Sequence, residues 1–150
     1  MEEKMPSLSR NINVISRCAS AYRAEGLEGS GISAAHYFYI FAICKNGGVP
    51  QDTLAKTLYI NKSSVARALQ TLEADGFIER RQSESDRRVT LVYPTQKAKD
   101  VLPKIREVSK SWNEFLFEAL DDSEREIFMT LLEKVANRAS SYIDGREGEK

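Results

Sequence analysis

Residues 51–98 read QDTLAKTLYINKSSVARALQTLEADGFIERRQSESDRRVTLVYPTQKA, and a change of hydrophobic period inside this stretch decides the fold. Up to Asp75 the apolar residues recur at helical spacing, and after Gly76 they alternate. Pro50 suits a first-turn position, so a short helix is expected over Gln51 to Leu58 with Leu54, Ala55 and Leu58 inward. Asn61 has the side chain of an N-cap and opens the next helix, Lys62 to Asp75, which Gly76 closes. FIERRQSESDRRVTLVY then reads as two short strands, near Phe77 to Arg81 and Val89 to Tyr93, joined by the polar turn QSESD. Thr95, after Pro94, caps a further helix.

Working outward, Ser33 is placed to cap a helix carrying Tyr37, Ile40, Phe41 and Cys44, which Asn46-Gly47-Gly48 stops. Three helices followed by a hairpin is the layout of a winged helix-turn-helix. Its third helix enters a major groove and its hairpin, the wing, reaches the adjacent backbone or minor groove. Before this core, Leu8, Ile12, Ile15, Ala19 and Tyr22 form one stripe of a helix that ends near EGLEGSGI. After it, Val101, Ile105, Val108, Trp112, Phe115 and Ala119 line a long helix in which Pro103 predicts a kink. A last helix starts at Asp121 or Asp122, with Ser123 and Glu124, and carries Phe128, Leu131, Leu132, Val135, Ala139 and Tyr142. GREGEK reads as a frayed tail.

The expected architecture is mainly α, a three-helix core plus β-hairpin wing flanked by N- and C-terminal dimerisation helices. Residues 1–32 form the N-terminal helix and connection, 33–95 the winged helix-turn-helix, 96–145 the C-terminal helices and 146–150 the tail. The outer stripes lie outside the compact core, and a contiguous apolar patch above a few hundred Å² marks an interface. Twofold pairing would set two recognition helices about one DNA turn (~34 Å) apart. Closure of a second core within one chain is the alternative.

The 150 residues hold 22 Lys+Arg and 22 Asp+Glu, one His and two Cys. Neutrality here is a cancellation: residues 54–113 carry 12 basic and 7 acidic side chains, residues 114–150 carry 5 and 10. Such asymmetry fits a nucleic-acid surface. Two Cys are too few for a disulfide framework. MEEKMPSLSR lacks an apolar signal core and no run of 18 apolar residues occurs, so a cytoplasmic protein that does not enter a membrane is expected.

On the helix from Lys62, Val65, Leu69 and Leu72 share one face, while Ser63, Ala66, Arg67 and Gln70 point the opposite way. The outer face of its first half carries no acid. Arg pairs guanine bidentately, Gln pairs adenine and Ser serves either. Arg80, Arg81, Arg87 and Arg88 bracket the wing turn, and Asp86 is placed to hold Arg88 by a charge-assisted bond and aim it at a minor groove. A solvated surface helix and edge-strand charge that deters aggregation are the plain alternatives.

Gln51 to Ala98 resembles the signature of the MarR family of transcriptional regulators: Leu54-Ala55, KSSVxR from Lys62, LExxGFIxR from Leu72, DxR from Asp86, and Thr95. The resemblance implies a homodimeric repressor of double-stranded, palindromic DNA. It implies recognition-helix contacts at Lys62, Ser63, Ser64 and Arg67, with Gln70 a further candidate, and wing contacts at Arg87 and Arg88 oriented by Asp86. The family often has Gly where Ala98 stands; Ala is the better helix former. An effector pocket is implied between the winged helix and the dimer helices, with Arg17, His36, Tyr37 and Phe38 as candidate lining residues whose plain role is packing. Some members sense oxidants through a cysteine in the first helix, which makes Cys18 a redox candidate. His36 is the only histidine and neither Cys has a second ligand at metal spacing, so no catalysis, metal or cofactor is expected. Two other readings stay open, a thiol switch at Cys18 and a winged-helix protein-interaction module that does not read DNA.

Overall fold

Six helices and a small sheet follow one another in the computed structural model, which describes residues 7–147: α1 (Ser7–Gly26), α2 (Tyr37–Lys45), β1 (Val49–Pro50), α3 (Gln51–Leu58), α4 (Lys62–Ala74), β2 (Ile78–Gln82), β3 (Thr90–Pro94), α5 (Gln96–Phe117) and α6 (Asp122–Glu147). The sheet is antiparallel in the order β1-β3-β2, with Val49 opposite Val92 and Arg80 opposite Val92 on the other side.

Local chemistry sets the boundaries that matter. Asn61 is extended, and its side chain accepts the Ser64 N–H at 2.8 Å, which satisfies one of the free donors at the start of α4. After α4, Gly76 takes φ +79, a left-handed position open to glycine at no Cβ cost, and Phe77 N–H returns to Leu72 O at 2.9 Å. Thr95 ties the start of α5 to that joint. Its hydroxyl donates to Gly76 O at 2.7 Å, its N–H to Phe77 O at 3.0 Å, and its oxygen accepts Ala98 N–H. Asp121 and Glu124 form a reciprocal capping box at the start of α6, with bonds of 2.9 and 3.0 Å.

Several boundaries differ from the sequence expectation. Ser33 does not cap α2: it heads a turn closed by His36 N–H on Ser33 O, and α2 starts at Tyr37 without a side-chain cap. The buried face of α2 is Tyr39, Ile40 and Ile43, with Tyr37, Phe41 and Cys44 half-buried. The segment YFYIFAIC is apolar all round, so its periodicity selects no face. Pro50 is extended and precedes α3, and with Val49 it makes β1, a two-residue strand too short to leave an alternating pattern. The wing strands begin one residue later than expected. α5 continues through Pro103 as one helix, as the sequence implies, but ends at Phe117, short of Ala119. Residues 145–147 of the expected tail continue α6, and 148–150 lie outside the described residues.

The core is shared by all parts of the winged helix. Ile40 and Ile43 of α2, Leu54 of α3, Val65, Leu69 and Leu72 of α4, Phe77, Ile78 and Val92 of the wing, and Ile105 of α5 are fully enclosed. Burial of each is worth about 1.5–3 kcal/mol, enough to fix one face of α4 inward. Gly48, at φ +78, lets β1 approach Tyr93 so closely that a Cβ would stand 2.9 Å from its ring. α1 lies on α5 through Tyr22 and Trp112, whose rings are 5.2 Å apart. α6 behaves differently. Every described side chain on it is exposed except the half-buried Ser140, including Ile127, Phe128, Leu131, Leu132 and Val135. Its contacts with the remainder include, toward its ends, Arg125 to Phe117 O, the Phe117 and Phe128 rings, and Tyr59 hydroxyl to Asp144 at 3.4 Å. No helix among the described residues is long and apolar enough to cross a membrane.

Candidate nucleic-acid interface

With Val65, Leu69 and Leu72 buried, geometry leaves Lys62, Ser63, Arg67 and Gln70 exposed on α4 and Ser64 half-buried. Their side chains brace one another. Ser63 hydroxyl donates to Asn61 Oδ1 at 3.0 Å, and Arg67 donates to Ser64 Oγ at 3.2 Å. The guanidinium therefore lies back over the first turn, the end where a helix concentrates its positive dipole and unpaired N–H groups. Lys62 meets Asp52 of α3 at 3.0 Å, but both are largely exposed, so solvent screens the pair and a phosphate can replace it cheaply.

The wing arginines divide into different environments. Arg88 is held by Asp86 through its backbone N–H at 3.0 Å, Nε at 3.1 Å and a terminal nitrogen at 3.0 Å, yet its side chain is 90% exposed. These bonds, the side-chain pair first, keep the Asp86 carboxyl below the ordinary carboxylate range. Arg87 is exposed and makes no ion pair among the described residues. Arg81 meets Glu79 at 2.6 Å and lies 4.9 Å from the Tyr93 ring centre. Arg80, grouped by sequence with the turn, instead faces inward to Glu73 at 2.7 Å. Glu73 is held below the usual glutamate range, chiefly by the Arg80 side chain.

Away from α4 and the wing, His36, Tyr37 and Phe38 fall in one aromatic cluster. His36 meets Tyr39 edge-on at 6.1 Å, Tyr37 meets Phe38 at 5.6 Å, and Phe38 stacks on Tyr39 at 4.6 Å. Arg17 is exposed on α1, and the α1 arginine that reaches this cluster is Arg23, 4.5 Å above the Tyr37 ring. Arg23 Nε and Ser109 Oγ of α5 are buried without hydrogen-bond partners among the described residues. Sequence reasoning passed over Arg23, Ser109 and Glu73. The available signal was for Glu73, the only acid on α4 and, with Arg80, the Glu and Arg of LExxGFIxR. Cys18 is exposed, while Cys44 is half-buried and its thiol is pushed up by burial against the opposing pull of Lys99 and Arg106. Ala98 is fully buried, so its methyl is part of the packing at the start of α5.

Comparison with known proteins bears on this arrangement. The family model described as MarR family matches residues 30–89, from just before α2 to the wing turn. An HTH-type transcriptional regulator of Bacillus subtilis, YybA, is 27% identical over 131 residues, 87% of this chain and 87% of its own. A MarR transcriptional regulator from Methanosarcina mazei is 29% identical with a TM-score of 0.81, over 90% of this chain and 98% of that one. A MarR-family regulator from Listeria monocytogenes, solved with 26mer DNA, shares the fold at a TM-score of 0.84 and 24% identity, over 91% of each chain. These relatives are transcriptional regulators and not enzymes. A winged helix with a braced polar face on α4 is thus similar to the MarR family of transcriptional regulators, in sequence across α2 to the wing and in fold along nearly its whole length.

Proposed function

We propose that the chain binds palindromic double-stranded DNA as a homodimer and represses transcription by occluding promoter DNA. The observation that carries this reading is the outer face of α4, where Ser63, Arg67 and Gln70 stand exposed with no acid among them while the opposite face is buried. Arg87 and Arg88 supply cations at the wing tip for the adjacent groove. The Listeria relative solved with 26mer DNA supports the same use of the fold. The exposed apolar sides of α6 and α1 support the dimer.

Arg67→Ala is expected to cost roughly 1–3 kcal/mol of DNA affinity and to relax sequence choice at one base position of each half-site. Selection of bound duplexes from a random pool, with wild type and variant side by side, measures both. Recovery of no enriched palindrome, together with a shallow salt dependence, would favour a protein-interaction module instead.

A second reading concerns regulation. Arg23, whose Nε is buried without a partner among the described residues and whose guanidinium lies over Tyr37, supports a site for a small anionic effector between α1 and α2. An anion bound there alters DNA affinity only through different affinities for the two states of the dimer. In a screen of small organic anions, a compound that weakens DNA binding of the wild type at least roughly 5-fold is expected to have no effect on Arg23→Ala. An equal response of the two proteins would place the effector elsewhere.

A further inference from the structure

We infer that Glu73 and Arg80 form a clamp that sets the aim of the wing relative to the recognition helix, making Glu73 a positioning residue for Arg87 and Arg88. The inference rests on the DNA-binding reading and adds a residue to it that touches no DNA.

The placement of Glu73 is otherwise unfavourable twice over. It is the only acid on α4, the helix proposed to approach phosphates, and it sits in the last turn, where the helix dipole disfavours negative charge. Arg80 compensates both. One carboxylate oxygen accepts the Arg80 backbone N–H at 3.1 Å, and the other accepts Nε at 3.1 Å and a terminal nitrogen at 2.7 Å. A charge-assisted bond to two prongs of the guanidinium and one to the backbone fixes β2 in orientation as well as in distance.

Mechanical reach makes that orientation matter. Beyond Gln82, the backbone bonds within the hairpin are those of its own turn, Ser83 N–H to Val89 O and Val89 N–H to Asp86 O. At about 3.3 Å per residue, the tip near Ser85 lies roughly 16 Å beyond Arg80, so a 10° error at the base displaces it by about 3 Å. That is the length of a hydrogen bond. Asp86 aims Arg88 locally, and the clamp carries the frame in which Asp86 itself is held.

The test is a double-mutant cycle on the full-length chain, read by anisotropy on a labelled duplex carrying the palindrome recovered by selection. Wild type, Glu73→Gln, Arg88→Ala and the double variant are titrated at salt concentrations of roughly 50–300 mM. Glu73→Gln is expected to lower affinity about 5–10-fold and to reduce the slope of log affinity against log salt by about 1. On the Arg88→Ala background the same change is expected to cost under about 2-fold, because the wing has lost most of what the clamp aims. Independent, multiplying losses, or a loss at unchanged salt slope, overturn the clamp and leave the DNA reading standing. A wild-type chain that binds no duplex in a salt-dependent way removes both. If Glu73→Gln melts more than about 5 °C lower, Arg80→Lys replaces it. This variant keeps the charge and loses the two-pronged bond, and the same coupling to Arg88 is required of it.

Discussion

Leu131→Glu combined with Val135→Glu is expected to leave the chain monomeric at micromolar concentration and to weaken DNA binding by roughly 10²–10⁴-fold. Both residues are exposed on α6 one turn apart, in the stripe that includes Phe128 and Leu132. Burial of a Leu or Val side chain is worth about 1.5–3 kcal/mol, and in a twofold interface each substitution acts twice. The loss, about 6–12 kcal/mol before the cost of burying charge, brackets the roughly 8 kcal/mol of a micromolar dimer. One winged helix then engages one half-site, and the gain from linking two is gone. Leu131 and Val135 stand exposed, away from the contacts of α6 at Phe117, Phe128, Tyr59 and Asp144, so the winged helix is expected to keep its helical circular dichroism. Sedimentation velocity and anisotropy measure the two effects. A variant that sediments as a dimer would show that this face of α6 is not the interface.

Phe77→Ala is expected to cost about 3–5 kcal/mol of stability, a large share of the 5–15 kcal/mol of an ordinary domain, and to lower the melting temperature by roughly 10 °C at fixed protein concentration. Phe77 is enclosed at the joint between α4 and the wing. Lys97 of α5 lies 4.4 Å from its ring centre while donating to Asp75 O at 2.7 Å, and Phe77 O accepts from Thr95. The substitution opens a cavity where α4, β2 and α5 meet, and it removes the ring that receives the Lys97 ammonium. DNA affinity is expected to fall more than 10-fold even below the melting transition, because recognition helix and wing lose their common anchor. A melting point within about 3 °C of wild type would show that the joint repacks around the missing ring.

How legible each part was depended on whether a local rule governed it. Asn61, Gly76 and Thr95 act through capping and left-handed geometry, which are properties of one residue and its near neighbours, and all three stand where the sequence put them. The face of α4 followed from its period because polar and apolar residues alternate cleanly around it. The face of α2 did not, since a helix apolar on all sides acquires its orientation from the elements packed against it. β1 escaped notice because Val49 and Pro50 are a strand only by virtue of Val92 and Leu91 opposite them. The same reason explains Arg80: four nearby arginines look alike in sequence, and only the fold brings Glu73 to one of them. Arg23 replaced Arg17 over Tyr37 because the angle at which α1 crosses the core is a tertiary fact.

The unshared apolar side of α6 has a consequence for how the protein is made and counted. Synthesis delivers α6 after Ile105 and Val108 of α5, which complete the core of the winged helix. If the proposed dimer forms, a chain with its winged helix complete carries an unmatched apolar side on α6, and its next step is an encounter with another such chain, at a rate set by the square of their number. Under the proposed dimeric mode, occupancy of an operator rises more steeply than copy number, so the cell's response carries a threshold written into α6.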